Sequence, residues 1–214
     1  MRIGRDMPGD FIRRLPQLTF EQFDAFREER PKEEKWELID GVPMMMPPPT
    51  LMHQRITGNI ALLLNCRLEQ VRPDWLASQE IGIRLPDDQR YNPEPDVTVI
   101  DAAIEIDQIY AERFYFVAEV LSNSNRPELR AGSDKPIVLA TKVDYYKLHE
   151  HCRGILIVRQ DQVSAELHTR GTSWTTIQLS QPADRIVIPD LGDIGPLAAL
   201  YRHTPLWQSA WSTL

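Results

Sequence analysis

The chain has 214 residues, 42% of them apolar and 26% charged, an ordinary balance for a soluble globular protein and enough for one large domain. Its formal net charge of −7 excludes a broadly basic surface, so any contact with nucleic acid needs a local basic patch or a metal that offsets acidic groups. The opening MRIGRDMPGDFIRRL lacks the apolar stretch of a secretory signal, no apolar run reaches the roughly 18 residues of a membrane span, and Cys66 and Cys152 are too few for a disulfide framework, so a cytoplasmic protein with no membrane partner is expected.

Residues 1–18 show no periodicity and read as an extended N-terminal arm. Thr19 then has the character of a helix N-cap, with Gln22 as its capping-box partner. The helix FEQFDAFREER that follows carries Phe20, Phe23 and Phe26 on one side and stops before Pro31. WELIDGVPMMM reads as two strands joined at Asp40-Gly41, a strong hairpin signal. Pro47 to Pro49 forbid regular pairing. Ile56, Ile60, Leu63, Leu64 and Leu68 recur at helical spacing and predict a long helix from about Thr50 to Val71.

Strands are expected next at WLASQEIGIRL, EPDVTVI and FYFVAEVL. Pro136 is placed to open a second helix that runs to Glu150. GILIVRQ, VSAELHTR, WTTIQL and RIVIP supply further strands, and a short helix is expected around Pro196–Tyr201. With no internal repeat or linker, the chain reads as one mixed α/β domain over 19–205, followed by a tail over 206–214.

Several charged residues sit where apolar ones would be cheaper. In FYFVAEVL, alternation places Phe114, Phe116, Ala118 and Val120 on one face and Tyr115, Val117, Glu119 and Leu121 on the other. Apolar residues on both faces mark a central strand, where an acid is costly unless it is paired or binds a cation. A structural salt bridge would account for Glu119 equally well. Asp96 follows Pro95 at the start of the strand VTVI, and a plain Pro-Asp turn is the simple reading. Lys142 lies at the margin of the helical stripe formed by Leu139, Val143 and Tyr146, where a lysine usually snorkels to water. Glu37 reads as an exposed residue of the hairpin, and His53 as a hydrogen-bonded residue near the start of the long helix.

Taken together, an aspartate opening one strand, a glutamate within the next and a lysine near an inward helical face can converge on one cleft. Oxygen ligands suit a hard ion such as Mg²⁺ or Mn²⁺ rather than zinc. Such an ion polarises a phosphoryl oxygen and activates a water, and a lysine beside it stabilises developing charge. That is the chemistry of phosphodiester hydrolysis.

The segments WELIDGVPMMMPPPTLMHQRI, PEPDVTVID, VAEVLSNSNR, the helix carrying Lys142 and Tyr146, and IPDLG before a helix ending in Leu200-Tyr201 occur in this order over roughly residues 17–203. They resemble the Uma-type restriction-endonuclease-like family, also known as domain of unknown function 820, which is similar to the PD-(D/E)xK nucleases. The resemblance implies an α/β fold with a restriction-endonuclease-like mixed β-sheet flanked by helices, DNA as substrate, and Mg²⁺ or Mn²⁺ as cofactor. It makes Asp96 and Glu119 the metal ligands, Lys142 the catalytic lysine and Glu37 a further acid of the site. His53 matches a histidine of the family without an assigned role.

The sequence departs from the general motif at one point. The lysine belongs two residues after the glutamate, and Leu121 stands there; Lys142 takes its place from the following helix, with Lys135 as the competing candidate. A homodimer is expected, because double-strand cutting needs two sites and two-fold assembly is common. Two other readings remain: a nuclease scaffold retained as a binding or accessory protein, and a buried Glu119–Lys142 pair with only a structural role.

Overall fold

The computed structural model of the chain describes residues 17–121 and 135–207, with the side chains of 135–137 left out. The expected arm and tail fall almost wholly outside these residues, as does the side chain of Lys135. In chain order the elements are α1 (Phe20–Glu28), β1 (Lys35–Ile39), β2 (Val42–Met46), α2 (Leu51–Val71), β3 (Trp75–Gln79), β4 (Gly82–Ile83), β5 (Val97–Asp101), β6 (Tyr110–Ala111) and β7 (Phe116–Leu121). They continue with α3 (Lys135–Leu148), β8 (Gly154–Arg159), β9 (Ala165–Arg170), β10 (Trp174–Leu179), β11 (Arg185–Ile188), β12 (Gly192–Pro196) and a 3₁₀ turn (Leu197–Tyr201).

Local sequence explains most of these boundaries. The capping box of α1 is closed by Thr19 N–H donating to Gln22 Oε1 (3.0 Å) and Gln22 N–H donating to Thr19 Oγ1 (3.4 Å). Thr50 caps α2 by accepting from the His53 N–H at 3.1 Å. Asp40 and Gly41 both take positive φ, 50° and 76°, as a two-residue hairpin turn requires. The expected terminal helix is a 3₁₀ turn, and β6 and β12 have no sequence counterpart: β6 is only two residues long, and β12 contains two glycines and a proline.

The central sheet has six strands in the order β10-β9-β8-β7-β5-β3. It is mixed: β7 and β8 run parallel, while the other neighbours are antiparallel. A parallel pair needs a crossover, and α3 lies in the connection between β7 and β8. Ile56, Ile60, Leu64 and Leu68 of α2 pack on one face against Val99, Phe116, Ala118 and Leu156. Val143, Tyr145 and Tyr146 of α3 pack on the other against Val117, Ile155 and Ile157. Burial of each such side chain contributes about 1.5–3 kcal/mol. The architecture is therefore the expected mixed sheet flanked by helices, with β7 covered on both sides.

One expectation about β7 needs correction. Phe116, Ala118 and Val120 do share the α2 face, but Phe114 belongs to the α3 side and Tyr115 to the α2 side. The strand begins only at Phe116, so strict alternation does not extend back to Phe114. Tyr115 instead stacks on Trp75 with ring centroids 3.7 Å apart. Among the described residues, no helix is long and apolar enough to cross a membrane, and Cys66 and Cys152 are both free thiols.

Candidate active site

The site lies at the C-terminal end of β7, where four elements meet. Glu119 projects toward α3, whose Lys142 places Nζ 2.7 Å from Glu119 Oε1. The hairpin enters from the side, and Glu37 of β1 puts Oε2 3.0 Å and Oε1 3.4 Å from the same ammonium. Tyr146, one helical turn after Lys142, donates its hydroxyl to Glu119 Oε1 at 2.7 Å. All four side chains are buried, with Glu37 only 3%, Lys142 5% and Glu119 8% exposed. Two expectations fall here: Glu37 is not an exposed hairpin residue, and Lys142 does not snorkel. A lysine at the edge of an apolar stripe turns inward when two carboxylates wait there.

Asp96 is set by the register of β5 on β7. Val97 pairs with Ala118, so Asp96 is carried toward Glu119, and its Oδ2 accepts the Val120 N–H at 2.6 Å. Its Oδ1 lies 2.9 Å from His53 Nε2 on the first turns of α2. The ion-pair network continues at the rim, where Lys35 lies 3.3 Å from Glu80 and 3.7 Å from Glu94. Thr50 donates to Gln160 Oε1 at 3.2 Å, which ties the start of α2 to the end of β8.

Burial governs the protonation states. It pushes the Glu37 carboxyl up to about 7, with Lys142 pulling against it and Glu119 adding to it. Burial also raises Glu119, although Lys142 opposes that. Burial alone would lower Lys142, but Glu119 and Glu37 hold it above its ordinary value, so it is an ammonium at neutral pH. Tyr146 is held far above the usual phenol range by burial and by Glu119, and stays a neutral donor.

These groups enclose a cleft of about 350 Å³ whose charged lining comprises five carboxylates (Glu37, Glu80, Glu94, Asp96 and Glu119) and two lysines (Lys35 and Lys142). Among the described residues, no three His, Cys, Asp or Glu side chains form a ready-made metal cluster. The donors nevertheless suit a hard cation. Each Asp96 oxygen makes one of these contacts and retains a lone pair, and Lys142 and Tyr146 both meet Glu119 at Oε1. A cation that keeps several of its waters needs only one or two carboxylates. Asp96 and Glu119 are the pair that could supply them.

The family model described as "Putative restriction endonuclease" (Uma2) matches residues 20–197, which include every residue of the site described here. The chain belongs to the Uma2 family. A solved structure from Anabaena variabilis, described as "a putative nuclease belonging to DUF820", is similar over 86% of this chain and 97% of that one. The TM-score is 0.60 at 16% identity, a likeness of fold. No curated protein matches the chain.

In this Uma2 chain the structure brings Glu37, Asp96, Glu119 and Lys142 to one cleft, and gives His53 a partner in Asp96. The sequence places Tyr146 in the inward stripe beside Lys142 without giving it a role at the site, and does not single out Gln160, Lys35, Glu80 or Glu94. Tyr146 was detectable, because a residue four positions after an inward lysine shares its helix face. Gln160 was not, since only the parallel pairing of β7 with β8 brings it beside the end of β7.

Proposed function

We propose that this chain is a metal-dependent endonuclease that hydrolyses DNA phosphodiester bonds through a PD-(D/E)xK-type site. Asp96 and Glu119 would hold Mg²⁺ or Mn²⁺, and Lys142 would serve as the lysine of the motif from α3. The observation that carries this reading is the 2.7 Å contact of Lys142 Nζ with Glu119 Oε1. An ammonium delivered from a different element stands beside the strand glutamate, where Leu121 cannot supply one.

An ion held by Asp96 and Glu119 would supply Lewis acidity toward a phosphoryl oxygen and lower the pKa of a water. The side chains do the rest. Lys142 remains protonated, so it orients the water or donates to the oxygen on which negative charge develops, and does not act as a base. Glu37 and Tyr146 fix the position of that ammonium and of Glu119. His53 and the Val120 N–H hold the Asp96 carboxylate in one orientation, as partners of metal ligands commonly do.

The test is cleavage of DNA by purified protein in Mg²⁺ or Mn²⁺, alongside Asp96→Ala and Glu119→Ala. Both variants should lose activity, and equal background cleavage by wild type and Asp96→Ala would refute the reading. A scaffold that binds without cutting is the second reading, favoured by the pairing of Lys142 with both Glu37 and Glu119. Titration with Mn²⁺ separates the two. Stoichiometric binding that is lost in Glu119→Ala belongs to the intact site.

A further inference from the structure

The two edges of the central sheet are finished differently. β3 forms one edge, and Asn65 of α2 covers it: Asn65 Nδ2 donates to Ala77 O at 3.0 Å while Ala77 N–H donates to Asn65 Oδ1 at 2.9 Å, as a neighbouring strand would. β10 forms the other edge, and among the described residues it has a strand on one side only. Arg170 N–H donates to Arg153 O and Arg159 N–H to Ser164 O, so the even-numbered residues of β9 bond to β8 and the odd-numbered ones to β10. Thr175, Ile177 and Leu179 pair with Thr169, Leu167 and Ala165, and therefore bond inward. The N–H and C=O groups of Trp174, Thr176 and Gln178 point away from the sheet.

Exposed edges are normally blunted by a lysine, a proline or a bulge. The strand WTTIQL has no charge and no proline, its register on β9 is unbroken, and Thr175 to Gln178 are all exposed. Charges lie beside this edge, sorted by sign along it. At one end Arg170 and Lys147 stand by the Trp174 ring, 5.0 and 5.9 Å from its centroid. At the other end Glu166 accepts a hydrogen bond from Gln178, with its side chain 38% exposed. A strand laid antiparallel on its own copy brings the positive end of one chain against the negative end of the other, a complementarity that fixes register.

We infer that β10 is a dimer interface of this chain, and that its occupant is β10 of a second copy. A two-fold axis at Thr176 pairs that residue with its counterpart and Trp174 with the partner's Gln178, which satisfies every outward group of the strand. Ile177, 50% exposed in the single chain, then lies across from the partner's Thr175 as a β-branched pair. Assembly stops at two, because the pairing uses both β10 edges and Asn65 covers the β3 edge. β9 runs opposite to both β8 and β10, and β8 runs with β7, so β10 is parallel to β7. Antiparallel pairing therefore turns the second β7 round, and the two clefts open at opposite ends of one continuous sheet. They do not face a common substrate, as the double-strand cutting behind the expected homodimer would need. None of this depends on whether the clefts cut DNA.

The test is sedimentation velocity of the full chain over a concentration series, with amide hydrogen exchange read by NMR on the same samples. Wild type should sediment increasingly as a dimer as concentration rises. Exchange at the Thr176 and Gln178 amides should slow in step, while the Thr175 and Ile177 amides, already bonded to β9, stay protected throughout. Thr176→Pro removes an N–H that the single chain does not use in its ladder, and proline is tolerated at such edge positions. It should weaken dimerisation about 10-fold or more, the scale of two lost hydrogen bonds, with an unchanged far-ultraviolet circular dichroism spectrum. Ile177→Lys, a charge on an exposed edge side chain, should do the same and carries the test if Thr176→Pro does not fold. A wild type that is monomeric at every concentration overturns the inference. So does a dimer that both variants leave intact, or one in which Thr176 and Gln178 still exchange freely.

Discussion

Lys142 and Glu119 meet at 2.7 Å although they come from different elements, one from α3 and the other from β7. The contact is buried and shared with Glu37, so one ammonium faces two carboxylates. Burying an unbalanced charge is expensive. The raised carboxyl of Glu37, pushed up to about 7, relieves that imbalance by keeping a proton on the pair for part of the neutral range.

Replacing Lys142 with methionine separates the two roles of the contact. Loss of the ammonium should lower the cleavage rate about 10²–10³-fold, the usual cost of removing one donor to developing charge. It should also destabilise the fold by about 3–5 kcal/mol, because two buried acids lose their partner. Denaturation curves read the second effect and cleavage assays of the folded fraction read the first. A variant that is less stable but fully active would leave Lys142 with a structural role alone.

Glu37 should make stability depend on pH in a defined window. Below its ordinary value of 4.5 the folded and unfolded chains both carry the proton, and Glu37 has no differential effect. Between 4.5 and about 7 the unfolded chain releases the proton while the folded one keeps it, so stability falls as pH rises. Glu119, also raised, acts in the same direction. Urea midpoints of wild type relative to Glu37→Gln should therefore decline between about pH 5 and about pH 8. A difference that grows over this range would contradict the assignment.

His53 should affect metal affinity through Asp96. Removing a partner that orients a metal ligand typically costs about 10–100-fold in affinity. Calorimetry with Mn²⁺ should show a loss of that order in His53→Ala, partly recovered in His53→Gln. Unchanged affinity in His53→Ala would leave the 2.9 Å contact without a role in the site.

Gly41 should be intolerant of any side chain. It has φ of +76°, and a Cβ there would lie 2.8 Å from Gln17 Cβ. Gly41→Ala should cost about 1–3 kcal/mol from backbone strain. Because the turn sets the pairing of Glu37 with Met44, activity should drop along with the melting temperature. A variant as stable as wild type would show that the hairpin can shift to absorb the strain.

The helices, the hairpin and every strand of the central sheet could be read from local signals: the Thr19 cap, the Asp40-Gly41 turn, and the apolar spacing of Ile56, Ile60, Leu64 and Leu68. These are properties of a few neighbouring residues, and short-range sterics and hydrogen bonds settle them wherever the segment is placed. The oddity of Glu119 was equally plain, since an acid inside an apolar strand is conspicuous without any structure.

The partners were another matter. Whether Glu37 was exposed or buried, and whether Lys142 reached water or turned inward, depended on α3 crossing over β7 and on the hairpin closing against both. Residues 37, 119 and 142 are far apart in the chain, and no local rule fixes the distance between them. Tertiary packing alone decided that one lysine would face two acids, because desolvation acts on whatever groups the fold brings together. The sequence determined which charges were out of place, and the packing determined what each of them faces.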